Sequence, residues 1–271
     1  MSDATSPSPL FDTEELAAAG LRAEVEGPVL TVTLTRPEAR NAQTPRTWRG
    51  LASIGRAVPA DVRVVLVRGE GASFSAGLDR AMLTAEGVPG ERTFPEVAAL
   101  DDERLDEQIA DYQSGFTWLR SPQFVSVALV QGHAVGGGFQ LALACDLRVA
   151  AEDAQFCMKE SALGIVPDLT GTKALVEIVG YSRALEICAT ARTIGAAEAQ
   201  ALGITTAVVP LDALESTARE LVGALTTPPH QTITALKGLL LGASERDLEQ
   251  QAAAERRAQA DLLRMLASLL G

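Results

Sequence analysis

The sequence predicts an α/β fold in which strands and helices alternate through about residue 150 and the chain is nearly all helical from Gly180 onward. Two short β-branched runs, residues 62–68 and 124–130, are typical of buried strands, and each leads into a glycine-containing segment. Strands that alternate with helical stretches are the pattern of stacked β/α units. A chain of 271 residues is also long enough to bury one large core.

The first half of the chain begins with a predicted hairpin, whose strands are residues 21–25 and 29–34. A helix is predicted over about residues 45–57, ahead of the first buried strand. Glycines and prolines between residues 83 and 101 predict a loop, and residues 102–119 then predict a helix.

The second half continues from the strand at 124–130 into a predicted buried helix, residues 138–146, and a strand at 147–150. The final helix is predicted over 244–270, and its apolar stripe requires a partner surface. We divide the chain into a disordered N-terminal tail over 1–15, a core over 16–200 and a helical C-terminal region over 201–271.

The acidic composition argues against two classes of binding partner. A net charge of −12 and a pI near 4.7 argue against nucleic acid or an anionic membrane as the main partner. No run approaches the eighteen apolar residues of a membrane span, and the first residues do not have the pattern of a targeting signal. Cys145, Cys157 and Cys188 lack metal-ligand spacing and are interpreted as reduced core thiols, so the cytoplasm is the simplest compartment and we expect no metal site.

Two glycine-centred segments carry the chemical signal. They are FSAGLD, residues 74–79, and VGGGF, residues 135–139, and each stands where a predicted strand gives way to a turn or helix. Glycine lets main chain approach a ligand closely, and two convergent N–H groups form an oxyanion hole that stabilises charge on a carbonyl oxygen. The helix that starts at the second segment adds its positive dipole end. Either segment alone is equally compatible with an ordinary tight turn.

Further motifs accompany these two segments along nearly the whole chain. They are LTRPEARNA (34–42), GHAVGGGFQLALACDLRVA (132–150), ESALGIVP (160–167) and GAAEA (195–199). With these motifs the chain resembles the crotonase, or enoyl-CoA hydratase/isomerase, superfamily. The resemblance implies a crotonase-like ββα spiral (the ClpP/crotonase fold) whose C-terminal helices build trimers, often paired into hexamers. It also implies an acyl-CoA substrate and no cofactor beyond the coenzyme A of that substrate.

The resemblance also implies roles for individual residues. The two oxyanion donors correspond to the N–H groups of Leu78 and Gly137. Arg40 corresponds to a residue near the coenzyme A phosphates, and Arg80 is a second candidate for which plain solvent exposure is the alternative. The predicted substrate-binding residues are Ala76, Gly77, Gly136, Gln140, Arg40 and Arg80.

Glu160 matches the catalytic glutamate of the family, and it would move a proton at the carbon next to the thioester. Hydratases of the family generally carry a second glutamate, two residues after the last glycine, and here that position is Gln140. An amide has no proton to exchange near neutral pH. We therefore predict double-bond isomerisation of an enoyl-CoA, with enoyl-CoA hydration by Glu160, and Gln140 orienting water, as the first alternative. A non-catalytic acyl-CoA-binding protein is the second.

Asp168 has two interpretations. It lies eight residues after Glu160, where dienoyl-CoA isomerases resemble this chain in having aspartate, so the two carboxylates could shuttle a proton between separated carbons. Alternatively it caps a helix that begins near Leu169. His133 and His230 have no evident catalytic partner.

Overall fold

The protein, for which we use a computed structural model, is described over residues 10–270, with side chains through Ser268. The strands are β1 (Leu21–Glu26), β2 (Val29–Leu34), β3 (Val64–Gly69), β4 (Val125–Val130), β5 (His133–Val135), β6 (Leu147–Ala151), β7 (Gln155–Cys157), β8 (Ile194–Gly195) and β9 (Ala207–Val209). The α-helices are α1 (Thr13–Ala18), α2 (Pro45–Arg56), α3 (Phe94–Ala98), α4 (Asp102–Thr117), α5 (Gly137–Ala144), α6 (Gly171–Val179), α7 (Tyr181–Thr190), α8 (Ala196–Ala201), α9 (Leu214–Thr226), α10 (His230–Leu241) and α11 (Leu248–Leu270). Short 3₁₀ helices include Arg80–Leu83 and Glu160–Leu163.

Two sheets organise the molecule. The larger has the order β1-β2-β3-β4-β6-β9, in which β1 and β2 form an antiparallel hairpin and the remaining pairs are parallel. The smaller has the order β5-β7-β8. β4 is buried along its whole length, which is expected of a central parallel strand covered on both faces.

The helix after β5 is fixed at both ends. α5 begins at the glycines and is buried throughout. At its other end the buried Arg148 donates hydrogen bonds to the carbonyl oxygens of Ala142 and Cys145. A guanidinium at a helix C-terminus satisfies carbonyl groups that have no partner within the helix. The glycine end of α5 is therefore held in place relative to the sheet.

The C-terminal helices are attached to the large sheet by a buried ion pair. Lys237 of α10 lies 2.6 Å from an Asp146 carboxylate oxygen and also donates to the carbonyl of Phe124. The same Asp146 oxygen accepts hydrogen bonds from the backbone and side chain of Ser126 in β4. In the described part of the chain, no helix has the length and apolar character needed to cross a bilayer.

Several sequence-based predictions are confirmed and others need correction. The hairpin, α2, β3, α4, β4 and β6 lie where they were predicted, within a few residues. The predicted tail over 1–15 is wrong for residues 13–15, which begin α1 behind the N-cap Asp12; residues 1–9 lie outside the described residues. The predicted loop over 83–101 contains the short α3, which a Thr93–Glu96 capping box starts.

The C-terminal part also differs from the prediction. Two short strands, β8 and β9, interrupt the region that was expected to be nearly all helical. β9 pairs with β6, so the large sheet includes residues on both sides of the predicted boundary at 200. The last helix starts at Leu248 and not at residue 244, after a 3₁₀ turn at Ala243–Glu245.

Candidate active site

Two main-chain N–H groups are left without acceptors at the glycine segments. Within residues 10–270, neither the Leu78 nor the Gly137 N–H donates a hydrogen bond. The carbonyl of Gly77, which shares a peptide plane with the Leu78 N–H, accepts from Gln43 N at 2.7 Å. Because N–H and C=O point in opposite directions across a trans peptide, this bond turns the Leu78 N–H away from Gln43. Gly137 is the first residue of α5, where an N–H has no partner within the helix.

The two segments pack backbone against backbone. A Cβ added to Gly77 would lie 2.2 Å from the Val135 oxygen and 3.2 Å from the nitrogen of Gly137. A Cβ on Gly138 would lie 2.4 Å from the oxygen of Ser75, and Val135 N donates to that same oxygen. Gly77 also has φ +78°, a conformation that glycine adopts readily. Glycine is therefore required for the close approach of the two segments that carry the free amides.

A cluster of buried polar side chains supports the first glycine segment, residues 74–79. The hydroxyl of Ser75 accepts hydrogen bonds from Gly77 N at 3.2 Å and from Gln43 Nε2 at 3.0 Å. It donates to the carbonyl of Asn41 at 2.8 Å. Gln43 is fully buried and its oxygen accepts from the indole N–H of Trp48. Every polar atom in this group has a partner, so the group rigidifies the segment that carries Leu78.

Glu160 lies beside the second segment. Glu160 is 5% exposed, and a Cβ on Gly136 would lie 3.2 Å from the Oε1 atom of Glu160. The other carboxylate oxygen, Oε2, is buried and has no hydrogen-bond partner among residues 10–270. A buried acceptor without a donor is costly, and such atoms are retained where function requires them. Glu160 therefore has one carboxylate oxygen without a hydrogen-bond partner among the described residues, beside the segment that carries the Gly137 N–H.

Gln140 and Asp168 complete the group of side chains. Gln140, 1% exposed, donates from Nε2 to Glu160 Oε1 at 2.7 Å. Its oxygen accepts from Leu169 N at 2.9 Å and from Gly171 N at 3.3 Å. These bonds fix the turn that carries Asp168. The interpretation of Asp168 as a helix cap is wrong, because α6 begins at Gly171 behind an N-cap Thr170 that has positive φ, and no side chain among the described residues caps it.

The environment changes the proton affinity of both carboxyls. Burial raises the pKa of Glu160 above its usual range, and the negative charge of Asp168 raises it further, whereas the hydrogen bond from Gln140 acts in the opposite direction. Burial also raises the pKa of Asp168. Two neighbouring carboxyls that resist double ionisation favour a state in which one is ionised and the other protonated.

The predicted phosphate contacts lie at the edge of this region. Arg40 and Arg80 are both exposed, and the carbonyl of Arg40 accepts from Ala76 N at 2.8 Å. Their roles toward coenzyme A stay predictions. No role was predicted for Arg36 from the sequence. Its guanidinium forms a salt bridge with a carboxylate oxygen of Asp79 at 2.9 Å, and Asp79 also accepts a hydrogen bond from Ala81 N. Asp79 thus stabilises its turn.

The hydrogen-bond partners of the two histidines are groups other than the Glu160 and Asp168 carboxyls. His133 Nδ1 lies 3.2 Å from the Ser73 hydroxyl, and His230 Nε2 contacts the carbonyl of Gln123. No three His, Cys, Asp or Glu side chains among the described residues are grouped closely enough to hold a metal ion. The three cysteines are free thiols, and burial raises the pKa of Cys145 to about 12.

Comparison with known proteins identifies the family. The family model for enoyl-CoA hydratase/isomerase matches residues 24–267. The chain belongs to the enoyl-CoA hydratase/isomerase family. It is therefore a member of the crotonase superfamily, as the motifs predicted, and of a family of enzymes.

Solved structures confirm the crotonase fold. A Thermobifida fusca YX protein, provisionally named an enoyl-CoA hydratase and solved in complex with acetoacetyl-CoA, is 50% identical with a TM-score of 0.90. That likeness covers 94% of this chain and 98% of the other.

Curated relatives carry two kinds of name. A Rhizobium meliloti (strain 1021) protein, also provisionally named an enoyl-CoA hydratase, is 33% identical over 72% of this chain and 70% of its own. The carnitinyl-CoA dehydratase of Salmonella enteritidis PT4 (strain P125109) is 34% identical over 83% of this chain and 81% of its own.

Sequence reasoning missed part of this family member's site. Gln43 supports the oxyanion segment, yet its side chain acts through partners from distant parts of the chain, and no spacing reveals that. The same holds for Gln113, which donates to the carbonyl of Asp168 at 2.7 Å. For Gln43, its place directly after the quoted LTRPEARNA motif was the only local signal.

Proposed function

We propose that this protein catalyses double-bond isomerisation of an enoyl-CoA through an enolate-like state. The observation that carries the proposal is the group formed by two free main-chain amides, Leu78 and Gly137, and two nearby carboxyls, of which Glu160 is buried and Asp168 half-buried. The acetoacetyl-CoA complex of the Thermobifida fusca relative supports an acyl-CoA thioester as the substrate class.

The proposed reaction begins with binding of the thioester oxygen between the N–H groups of Leu78 and Gly137. Glu160 Oε2 removes a proton from C2 of a 3-enoyl-CoA, and the electron pair delocalises through C2–C4 and the thioester oxygen. The two N–H donors stabilise that charge, an effect worth about 10²–10³ in rate for each donor. Delivery of a proton to C4 then yields the 2-enoyl-CoA.

The environment supports an assignment of the two carboxyls. Gln140 donates a hydrogen bond to Glu160 and so favours its ionised form, whereas Asp168 receives no side-chain hydrogen bond within the described residues. Glu160 is accordingly the base, and Asp168 is the acid that delivers the proton to C4. Proton transfer from Glu160 to Asp168 restores the starting state. The reaction needs no cofactor other than the coenzyme A of its substrate.

Hydration is the second candidate, and the names of the relatives favour it. A typical hydratase of the family uses two glutamates, and the corresponding second position here is Gln140. Both the nitrogen and the oxygen of this amide are engaged with protein groups. Its remaining N–H could orient water but could not exchange a proton. Isomerisation requires no chemistry from this position.

Product analysis of the purified protein tests the proposal. We expect 3-enoyl-CoA and 2-enoyl-CoA to interconvert, with deuterium entering C4 in D₂O, and Glu160→Gln to abolish the reaction. Rapid hydration of 2-enoyl-CoA that Glu160→Gln removes and Asp168→Asn does not change would overturn isomerisation in favour of hydration. Acyl-CoA binding that survives Glu160→Ala, without turnover of any enoyl-CoA, would identify a binding protein instead.

We further propose that the protein assembles as a homotrimer or hexamer through its C-terminal helices. Four leucine side chains on α10 and α11 are about half exposed or more, and no described element of the chain covers them. They are Leu236, Leu240, Leu263 and Leu266. Light scattering coupled to size exclusion measures the mass of the assembly, and a monomer would contradict this proposal.

A further inference from the structure

The side chain of Gln140 connects the two carboxyl-bearing segments of the site. Its nitrogen donates to Glu160 Oε1, and its oxygen accepts two backbone N–H groups, those of Leu169 and Gly171. The contact with the turn is close, because a Cβ on Gly171 would lie 2.7 Å from Gln140 Cγ. One buried amide therefore contacts the segment of the base and the segment of the second carboxyl simultaneously.

The turn that Gln140 holds has an unusual backbone. Thr170, between the two donor amides, has φ +69°, which is unfavourable for a β-branched residue. Such a conformation persists only where the surroundings impose it. Here the imposed contacts are the two N–H bonds to Gln140 and a bond from Gln113 of α4 to the carbonyl of Asp168. Asp168 is thus positioned from two sides.

The residue type at position 140 matters for Glu160 as well. An amide N–H next to Oε1 stabilises the ionised carboxylate and leaves Oε2 as the oxygen without a partner in the part of the chain that the structure describes. A glutamate at the same place would still accept the bonds from Leu169 and Gly171. It would, however, bring a second carboxylate to the 2.7 Å contact with Oε1, and the pair would have to share a proton.

From these contacts we propose that Gln140 is a positioning residue: it directs the free oxygen of Glu160 toward the reacting carbon and holds Asp168 within reach of the second carbon. It performs no chemistry itself. The catalytic consequence rests on the proposed isomerisation. The structural consequence does not, because the contacts exist without substrate.

Three variants separate the two contacts of Gln140. Gln140→Leu removes both contacts, Gln140→Glu removes only the donor to Glu160, and Gln113→Leu removes only the second tether of the Asp168 turn. Two readouts need no turnover. NMR titration of ¹³C-labelled glutamate carboxyls, assigned by the signal lost in Glu160→Gln, follows Glu160, and hydrogen exchange follows the amides of Leu169 and Gly171.

We expect both Gln140 variants to move the Glu160 titration to higher pH, because each loses the N–H donor, while Gln113→Leu leaves it in place. Exchange at Leu169 and Gly171 should accelerate in Gln140→Leu and stay slow in Gln140→Glu. For isomerisation, Gln140→Leu should lower kcat about 100-fold with KM little changed, and the acid limb of its pH profile should move to higher pH.

Opposite results overturn the inference. An unchanged Glu160 titration in both Gln140 variants would show that the amide does not set its state, and an equal shift in Gln113→Leu would indicate general loosening. If Gln140→Leu does not fold, Gln140→Glu still tests the Glu160 contact, and unshifted titration there is decisive. A protein that hydrates and does not isomerise refutes the proposed function, yet leaves the titration and exchange results to be judged on their own.

Discussion

Replacement of Gly77 by alanine tests the proposed oxyanion site most directly. The new Cβ would lie 2.2 Å from the carbonyl oxygen of Val135, and real Cβ atoms essentially never approach closer than 3.0 Å. The two segments must therefore separate by about 0.8 Å, along the contact that brings Leu78 and Gly137 together.

The size of the effect follows from that displacement. A misplacement of about 1 Å in a catalytic site costs on the order of 100-fold, and loss of one oxyanion donor costs about 10²–10³ in kcat. We therefore expect Gly77→Ala to lower kcat at least about 100-fold. The positive φ of Gly77 adds about 1–2 kcal/mol of destabilisation for any L-residue.

Gly90→Ala is the matched control. Gly90 has φ +83°, but its Cβ would meet nothing within 4 Å, so this variant carries the backbone penalty without the displacement. Urea unfolding should show a modest loss of stability in Gly90→Ala and a larger one in Gly77→Ala, because only the latter adds the steric clash to the backbone penalty. A chromatographic assay of enoyl-CoA turnover should show a large loss of kcat only in Gly77→Ala. Wild-type kcat in a folded Gly77→Ala protein would refute the assignment of these amides.

Three further variants test the carboxyls and the buried ion pair. Glu160→Gln should lower turnover about 10²–10⁴-fold. Because folding raises the pKa of Glu160, the stability of the wild type relative to this variant should fall as pH rises through the folded-state pKa. The opposite trend in urea unfolding at several pH values would contradict the argument that burial raises this pKa. Asp168→Asn should reduce isomerisation about 100-fold or more while calorimetry finds unchanged affinity for a saturated acyl-CoA, and full activity would exclude Asp168 as the acid. Lys237→Met leaves the Asp146 carboxylate without its cation and should lower the free energy of unfolding in urea by about 3–5 kcal/mol. Adding Asp146→Asn to that variant should recover part of the loss. An unchanged free energy of unfolding in Lys237→Met would mean that the pair is not desolvated.

The larger elements could be predicted because their signals are local. The hairpin and the two buried strands show in short runs of residue types, and the helix from Asp102 begins behind an acidic N-cap. The short strands β5, β7, β8 and β9 have two or three residues and are held by partners far along the chain, so no periodicity marks them. The start of α6 was misplaced because Thr170 adopts a positive φ that its residue type does not suggest.

The site was predictable where motifs fix the backbone and unpredictable where side chains meet in space. Glycine segments announce close main-chain approach, so the positions of Leu78 and Gly137 could be proposed from spacing and resemblance. The double contact of Gln140 depends on a turn thirty residues away and could not be read from the chain. The opposing interpretations of Asp168 were separated only by the observed start of the helix.

The unpartnered oxygen of Glu160 has a consequence for engineering. Replacing a buried charged group that has no hydrogen-bond donor is a direct route to higher stability, and here it would exchange this glutamate for an amide or an aliphatic residue. Because Glu160 is the proposed base, we expect the resulting protein to be more stable at alkaline pH and to lose its activity. Thermostabilisation campaigns on this scaffold should therefore hold position 160 constant and seek their gains on surfaces away from the glycine segments.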